Sequence, residues 1–188
     1  MKRSESQEVL TQTKTLVLQL QSGDEQALQP LMKRTYDRAY RLAVAICRDR
    51  HLAEDVVQES FLSVFRSIHQ LRDPLAFQTW LARIVDNRCR KVMGKRRSLL
   101  LDEEEKAKKA PRKATDGLER RVAGRLNLEQ ALDQLSEQHR QAITLREVMG
   151  YTYDEMADIL EVPVGTVRSR LAGARRNLAS ILRGETNS

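Results

Sequence analysis

Aromatic side chains are scarce in this chain, at 4% of 188 residues. A core built almost without them leans on Leu, Val, Ile and Ala, as small helical bundles do. Cysteine is scarcer still. Cys47 and Cys89 form no CxxC pair and have no nearby histidine. That excludes a disulfide framework and a zinc site and leaves two reduced, helix-buried thiols. The histidines, His51, His69 and His139, are scattered. No HExxH, glycine-rich phosphate loop or Ser/His/Asp pattern occurs, so the sequence offers no catalytic residue, no metal ligand set and no cofactor site. It also lacks the apolar run of a signal peptide or a membrane span. The expectation is a cytoplasmic protein with no direct membrane insertion. No strand pattern and no solenoid-length repeat appears, which leaves an all-α fold.

What is present is positive charge. The formal net charge is +7 and the pI about 9.7. Such a balance points to a polyanionic partner, nucleic acid before anionic membrane. A merely solvated basic surface would show the same number, so position has to decide.

Helical periodicity divides the chain into two small domains joined by a flexible linker. Residues 1–20 begin polar and read as an N-terminal tail. The first domain spans 21–97. Ser22 and Glu25 have capping-box spacing, so a helix is expected near Asp24, with Pro30 kinking it or delaying its start. A second helix is expected over 36–48. A third, over 52–69, carries Val56, Val57, Ser60, Phe61, Val64, Phe65 and Ile68 as its inward stripe. A fourth starts at Asp73 and Pro74 and buries Phe77, Leu81, Ile84, Val85 and Cys89. Residues 98–124 carry the acidic run Asp102-Glu103-Glu104-Glu105 and then KAKKAPRKATDG. Without a sustained apolar stripe, they read as a charged linker. The second domain spans 125–184, with four helices whose starts are signalled by Leu126, Ser136, the Thr152/Glu155 capping box and Pro163.

Only Glu161-Val162-Pro163 separates the last two helices, which is the helix-turn-helix arrangement. On a wheel, Val167, Leu171, Ala174 and Leu178 face the domain. Gly165, Ser169, Ala172, Gly173 and Arg176 lie opposite, flanked by Thr166, Arg168 and Arg175. From Pro163 to Arg183 there are five arginines and no acid. Small residues let a helix backbone approach the floor of a DNA groove, and arginines at its edge pair with phosphates or guanine edges. An ordinary solvated amphipathic helix is the bland alternative, but the cap, the turn and the missing acids agree on DNA.

These residues also carry a family resemblance. YTYDEMADIL followed by PVGTVRSRL resembles the region-four domain of bacterial sigma factors. AEDVVQESFLSVF at 53–65 resembles the region-two helix that docks on core RNA polymerase. FQTWLARIVDNRCRKVMGKRR at 77–97 resembles the helix that handles the −10 promoter element. The order and spacing, with no third domain between, resemble an extracytoplasmic-function sigma factor. The resemblance implies a protein that binds core polymerase through its clamp coiled coil and flap, recruits it to promoter DNA and helps open the duplex. It also implies an anti-sigma factor lying across the polymerase-binding surfaces.

The residues suit those roles. Asp55, Gln58, Glu59 and Leu62 form one strip of the docking helix; carboxylates there suit basic partner groups, and Gln58 supplies donor and acceptor. Taken alone, Asp55 and Glu59 would be read as helix-solvating charges. On the −10 helix, Arg83, Arg88, Arg90, Lys91, Lys95, Arg96 and Arg97 face a single acid, Asp86. A separating strand needs phosphate neutralisation and places for unstacked bases. Trp80 is read first as core that wedges the promoter-facing end and second as a stacking platform. Asn87 matches the family's Asn and reaches for a base edge or phosphate. The loop from His69 to Leu75 matches the segment in which the family captures a flipped base. For the −35 element, Arg168 and Ser169 match DNA-facing positions, with Thr166, Ala172, Gly173, Arg175 and Arg176 around them. Ala172 and Gly173 are smaller than in some relatives, which shifts specificity toward DNA shape. The acidic stretch of the linker is open to two readings, a nucleic-acid mimic and a solubilising tether.

A conventional helix-turn-helix repressor or activator is the rival reading. It predicts a dimer on a symmetric operator, without polymerase.

Overall fold

The computed structural model describes residues 2–107 and 128–184, all helix and turn with no strand among them. Helix α1 is Lys2–Gln21. It replaces the tail expected for residues 1–20: Val17 is fully buried, Leu20 and Thr13 nearly so, and this packing holds the helix in place. Asp24 caps a short 3-10 turn, Glu25–Ala27, and α2 then runs unbroken over Leu28–Cys47. Pro30 sits in its first turn, where a missing N–H breaks no helical bond, so of the two expected effects the α-helix shows the delayed start and not the kink. Arg48 adopts the left-handed conformation (φ 56°) and ends α2. Asp49 then caps α3, Arg50–Ser67, through the Leu52 amide. Asp73 caps the 3-10 turn Pro74–Ala76, which leads into α4, Phe77–Ala107. The backbone of α4 therefore continues through the first ten residues of the expected linker. Residues 108–124, the rest of that linker, lie outside the described residues.

Leu126, which signalled the first C-terminal helix, lies outside the described residues; Ser136, Thr152 and Pro163 each stand at the start of a helix. Helix α5 is Leu128–Asp133 and α6 is Glu137–Ile143, capped by Ser136. The chain then widens into a π-turn, Thr144–Val148. Helix α7, Tyr153–Leu160, has both halves of the Thr152/Glu155 capping box. Glu161 takes the left-handed conformation (φ 54°), and α8 runs over Val164–Arg183 to Gly184. Val167, Leu171 and Ala174 of α8 are buried as the wheel required, and Leu178, the fourth residue of that face, is half-buried.

The two halves share one continuous core, in which α4 packs on α7 and α2 on α6. Arg140 is nearly buried, and its guanidinium donates to the Ala45 carbonyl (2.7 Å) and the Leu135 carbonyl (3.2 Å). Arg38 donates to the Met149 carbonyl (2.7 Å) and the Tyr151 hydroxyl (3.1 Å), and stacks over the Tyr151 ring at 4.4 Å. The Tyr151 hydroxyl donates onward to the Gln78 carbonyl (3.2 Å). Arg48 pairs with Asp133 at 3.2 Å. A chain of donors thus meets backbone carbonyls across the seam, satisfying acceptors that burial would otherwise strand.

Candidate nucleic-acid and docking surfaces

On α8, Arg168, Ser169, Ala172 and Arg176 are exposed and Thr166 is half-buried. The Ser169 hydroxyl donates to the Thr166 carbonyl at 2.9 Å, which holds it against its own helix. Arg175 is exposed but engaged, bound to Glu147 at 2.6 and 3.2 Å; this pair raises its already high pKa and ties α8 to the π-turn. Gly173 departs from the expected groove-facing position. A Cβ there would come within 2.9 Å of His139 Nε2, so its face is turned to α6 and serves helix packing. A side chain there would press on that imidazole, a relation between helices that a wheel for one helix cannot contain. Asn177 holds the same imidazole from the other side at 3.2 Å.

On α4, Arg83, Asn87, Lys91 and Arg96 are exposed. Asn87 accepts from Arg90 at 2.9 Å, and Arg96 lies 3.4 Å from Asp49. Trp80 is half-buried, packed against the core and tilted against Phe77 with ring centroids 6.1 Å apart. Arg97 lies on the α4 backbone with its side chain outside the described residues. Arg88 is half-buried and crosses to α3, donating to Glu59 (2.8 Å) and the Ser63 hydroxyl (2.8 Å). The structure therefore joins two residues that the sequence placed on separate surfaces, Arg88 for DNA and Glu59 for docking. Each restrains the other, because α3 and α4 run side by side.

Asp86, the single acid between Arg83 and Arg97, is fully buried at the seam. Gln141 donates to one of its oxygens and Arg90 pairs with the other. Burial pushes its carboxyl up to about 6; Arg90 opposes the rise, and Glu137 and Glu161 add to it. A desolvated carboxylate is costly even with one partner, which explains the direction.

On α3, Asp55, Gln58, Glu59 and Leu62 are exposed in one strip, with Leu62 at 52%. Phe65 does not point inward as its spacing suggested. It is 37% exposed and extends the strip one turn beyond Leu62. A residue three along from Leu62 shares its face, so the signal was present in the spacing. Gln21 carried no comparable signal. At the end of α1 it donates to the Ile68 (2.9 Å) and Leu71 (2.7 Å) carbonyls, bracing the loop His69–Leu75.

The described residues present no cluster of His, Cys, Asp or Glu able to hold a metal, and no helix among them is long and apolar enough to cross a membrane.

Comparison with known proteins gives a consistent result. Residues 31–98 match the model of Sigma-70 region 2, and residues 125–178 that of Sigma-70, region 4. The chain is 32% identical to the RNA polymerase sigma-H factor of Pseudomonas aeruginosa over 181 residues, covering 91% of this chain and 94% of that one. It is 33% identical to the ECF RNA polymerase sigma-E factor of Escherichia coli (strain K12), covering 85% and 88%. Among solved structures, it resembles CnrH in complex with the cytosolic domain of CnrY (TM-score 0.67, 24% identity, 93% of this chain and 99% of that one). It also resembles the sigma factor RpoE in complex with the anti-sigma factor NepR from Bartonella quintana (TM-score 0.67, 22% identity, 84% and 98%).

Proposed function

The chain belongs to the sigma-70 family, among the extracytoplasmic-function sigma factors, and on that premise we propose how its residues divide the work of an alternative sigma factor. It binds core RNA polymerase and directs transcription initiation at promoters with −10 and −35 elements. The observation that carries the division is the placement of two helices bearing exposed arginines, α4 and α8, on separate domains, with an exposed strip on α3.

In this reading the strip Asp55, Gln58, Glu59, Leu62 and Phe65 meets the clamp coiled coil. The apolar pair at its end supplies desolvated contact area, and the carboxylates steer a basic partner. Arg83, Asn87, Lys91 and Arg96 neutralise and grip the −10 strand, with Trp80 wedging the end where it separates. Arg168, Ser169 and Arg176 approach the −35 groove over the small Ala172. Arg175 adds a phosphate contact after leaving Glu147, an exchange that costs little between exposed groups. The protein itself catalyses nothing and works in the cytoplasm, where polymerase is. The flap of core polymerase and an anti-sigma factor complete the set of protein partners; one solved structure that the chain resembles is itself a sigma factor in complex with an anti-sigma factor.

The two promoter elements lie about 25 base pairs apart by their designations, or about 85 Å of B-form DNA at ten base pairs per turn. Here α4 packs directly on α7, the neighbour of α8 in the helix-turn-helix. A simultaneous grip on both elements therefore requires the seam to part. Purified core polymerase plus this protein on a double-element promoter tests the reading. Promoter-specific transcripts support it. A palindromic footprint by the protein alone, with core inactive, would replace it with a repressor.

A further inference from the structure

Both cysteines of the chain meet in the structure. Cys47 is the last residue of α2 and Cys89 lies in the middle of α4. Their Sγ atoms are 3.5 Å apart and share a hydrogen bond, at 3% and 0% exposure, with no bond between them. Promoter recognition and polymerase docking use neither thiol. A disulfide requires about 2.0 Å between sulfurs, so roughly 1.5 Å of approach separates this contact from a bond.

We propose that Cys47 and Cys89 are an oxidisable dithiol, closed to an intrachain disulfide by a hydroperoxide-class oxidant, which staples the end of α2 to the promoter-facing helix α4. The proposal concerns covalent chemistry of the region-two domain and does not rest on the promoter contacts assigned above.

The two sulfurs are not equivalent. Cys47 is followed by left-handed Arg48, where α2 stops, whereas Cys89 is enclosed within a helix. The shared hydrogen bond lowers the Cys47 thiol below its usual pKa and raises that of Cys89, to which burial and the charges of Asp86 and Glu137 add. Cys47, at the end of α2 and the less enclosed of the two, is the sulfur that meets the oxidant, and its thiolate is the nucleophile. Its thiolate attacks a peroxide oxygen: the S–O bond forms, the O–O bond breaks, and the departing hydroxide takes up a proton as water. The Cys89 thiol then loses its proton and attacks the Cys47 sulfenic sulfur: the S–S bond forms, the S–O bond breaks, and a second water leaves. Two thiols surrender two electrons to one hydrogen peroxide. In a reducing compartment the dithiol is the resting state, and such a disulfide forms transiently.

The test uses the reduced full-length protein titrated with hydrogen peroxide, with intact mass, non-reducing peptide mapping and thermal melting. Wild type is expected to lose two hydrogens, yield one Cys47–Cys89 linked peptide pair and melt about 5–10 °C higher, as closing a long loop dictates. In Cys89→Ser, the Cys47 sulfenic acid persists and takes up one dimedone; in Cys47→Ser, Cys89 takes up none. The alanine variants Cys47→Ala and Cys89→Ala repeat the measurement should a buried hydroxyl unfold the serine forms. Two thiols still titratable after unfolding, oxygen gained without loss of hydrogens, or dimedone on Cys89 but not Cys47 would each overturn the proposal.

Discussion

Gln141 of α6 donates to the buried Asp86 of α4, so a neutral amide from one domain holds the carboxyl that burial in the other has perturbed. The pair is a seam contact, not a promoter contact. It makes the stability of the closed form depend on one proton.

Burial sets the sign of that dependence. The Asp86 carboxyl rises from 3.8 to about 6 in the folded protein. Folding then takes up a proton between those values, so this group's contribution falls as pH rises from about 4 to about 6 and is flat above. Asp86→Asn keeps an acceptor for Gln141 and removes the ionisation. It should raise stability at pH 7 by on the order of 2–3 kcal/mol, since each tenfold change in proton affinity is worth about 1.4 kcal/mol, and flatten the pH profile. Denaturant melts from pH 4 to 8 measure both; an unchanged slope in the variant would place the proton elsewhere.

Arg140→Ala removes two carbonyl hydrogen bonds, one of them across the seam to Ala45. Stranding those acceptors costs roughly 1–3 kcal/mol. Small-angle scattering should show a larger radius of gyration as the domains part. Identical scattering from variant and wild type would mean that the other seam contacts suffice.

Leu62→Ala with Phe65→Ala should weaken binding to core polymerase at least tenfold, the size of a small interfacial hot spot. Affinity of the protein for −35 DNA should stay level. Equal losses in a core-binding titration and a DNA gel shift would contradict the assignment of the α3 strip.

Arg168→Ala should reduce initiation that depends on the −35 element. If the guanidinium contacts a phosphate, the slope of log affinity against log salt should fall by about one, uniformly across sequences. If it reads a base edge, the slope should hold and discrimination at one position should relax by about 1–3 kcal/mol.

Local rules were enough for most elements. The Thr152/Glu155 box, Ser136 and Asp73 act within a few residues of themselves, so their caps were legible in the sequence and occur in the structure. The helix-turn-helix, the exposed Arg168 and the exposed strip from Asp55 to Leu62 were legible for the same reason. They depend on periodicity along one helix. What failed depended on a second element. Residues 2–21 are polar enough to read as a tail, yet Val17 and Leu20 find a core. Gly173 is small for His139, and Arg88 is spent on Glu59. Asp86 looked like a lone acid on a basic face, and only the arrival of Gln141 makes it a buried seam residue. Sequence alone thus determined most of the helices after the first, their caps and the family, because those follow from short-range spacing. Tertiary structure decided which charges are free, which are paired and how the two domains meet, because desolvation and pairing depend on neighbours distant in the chain.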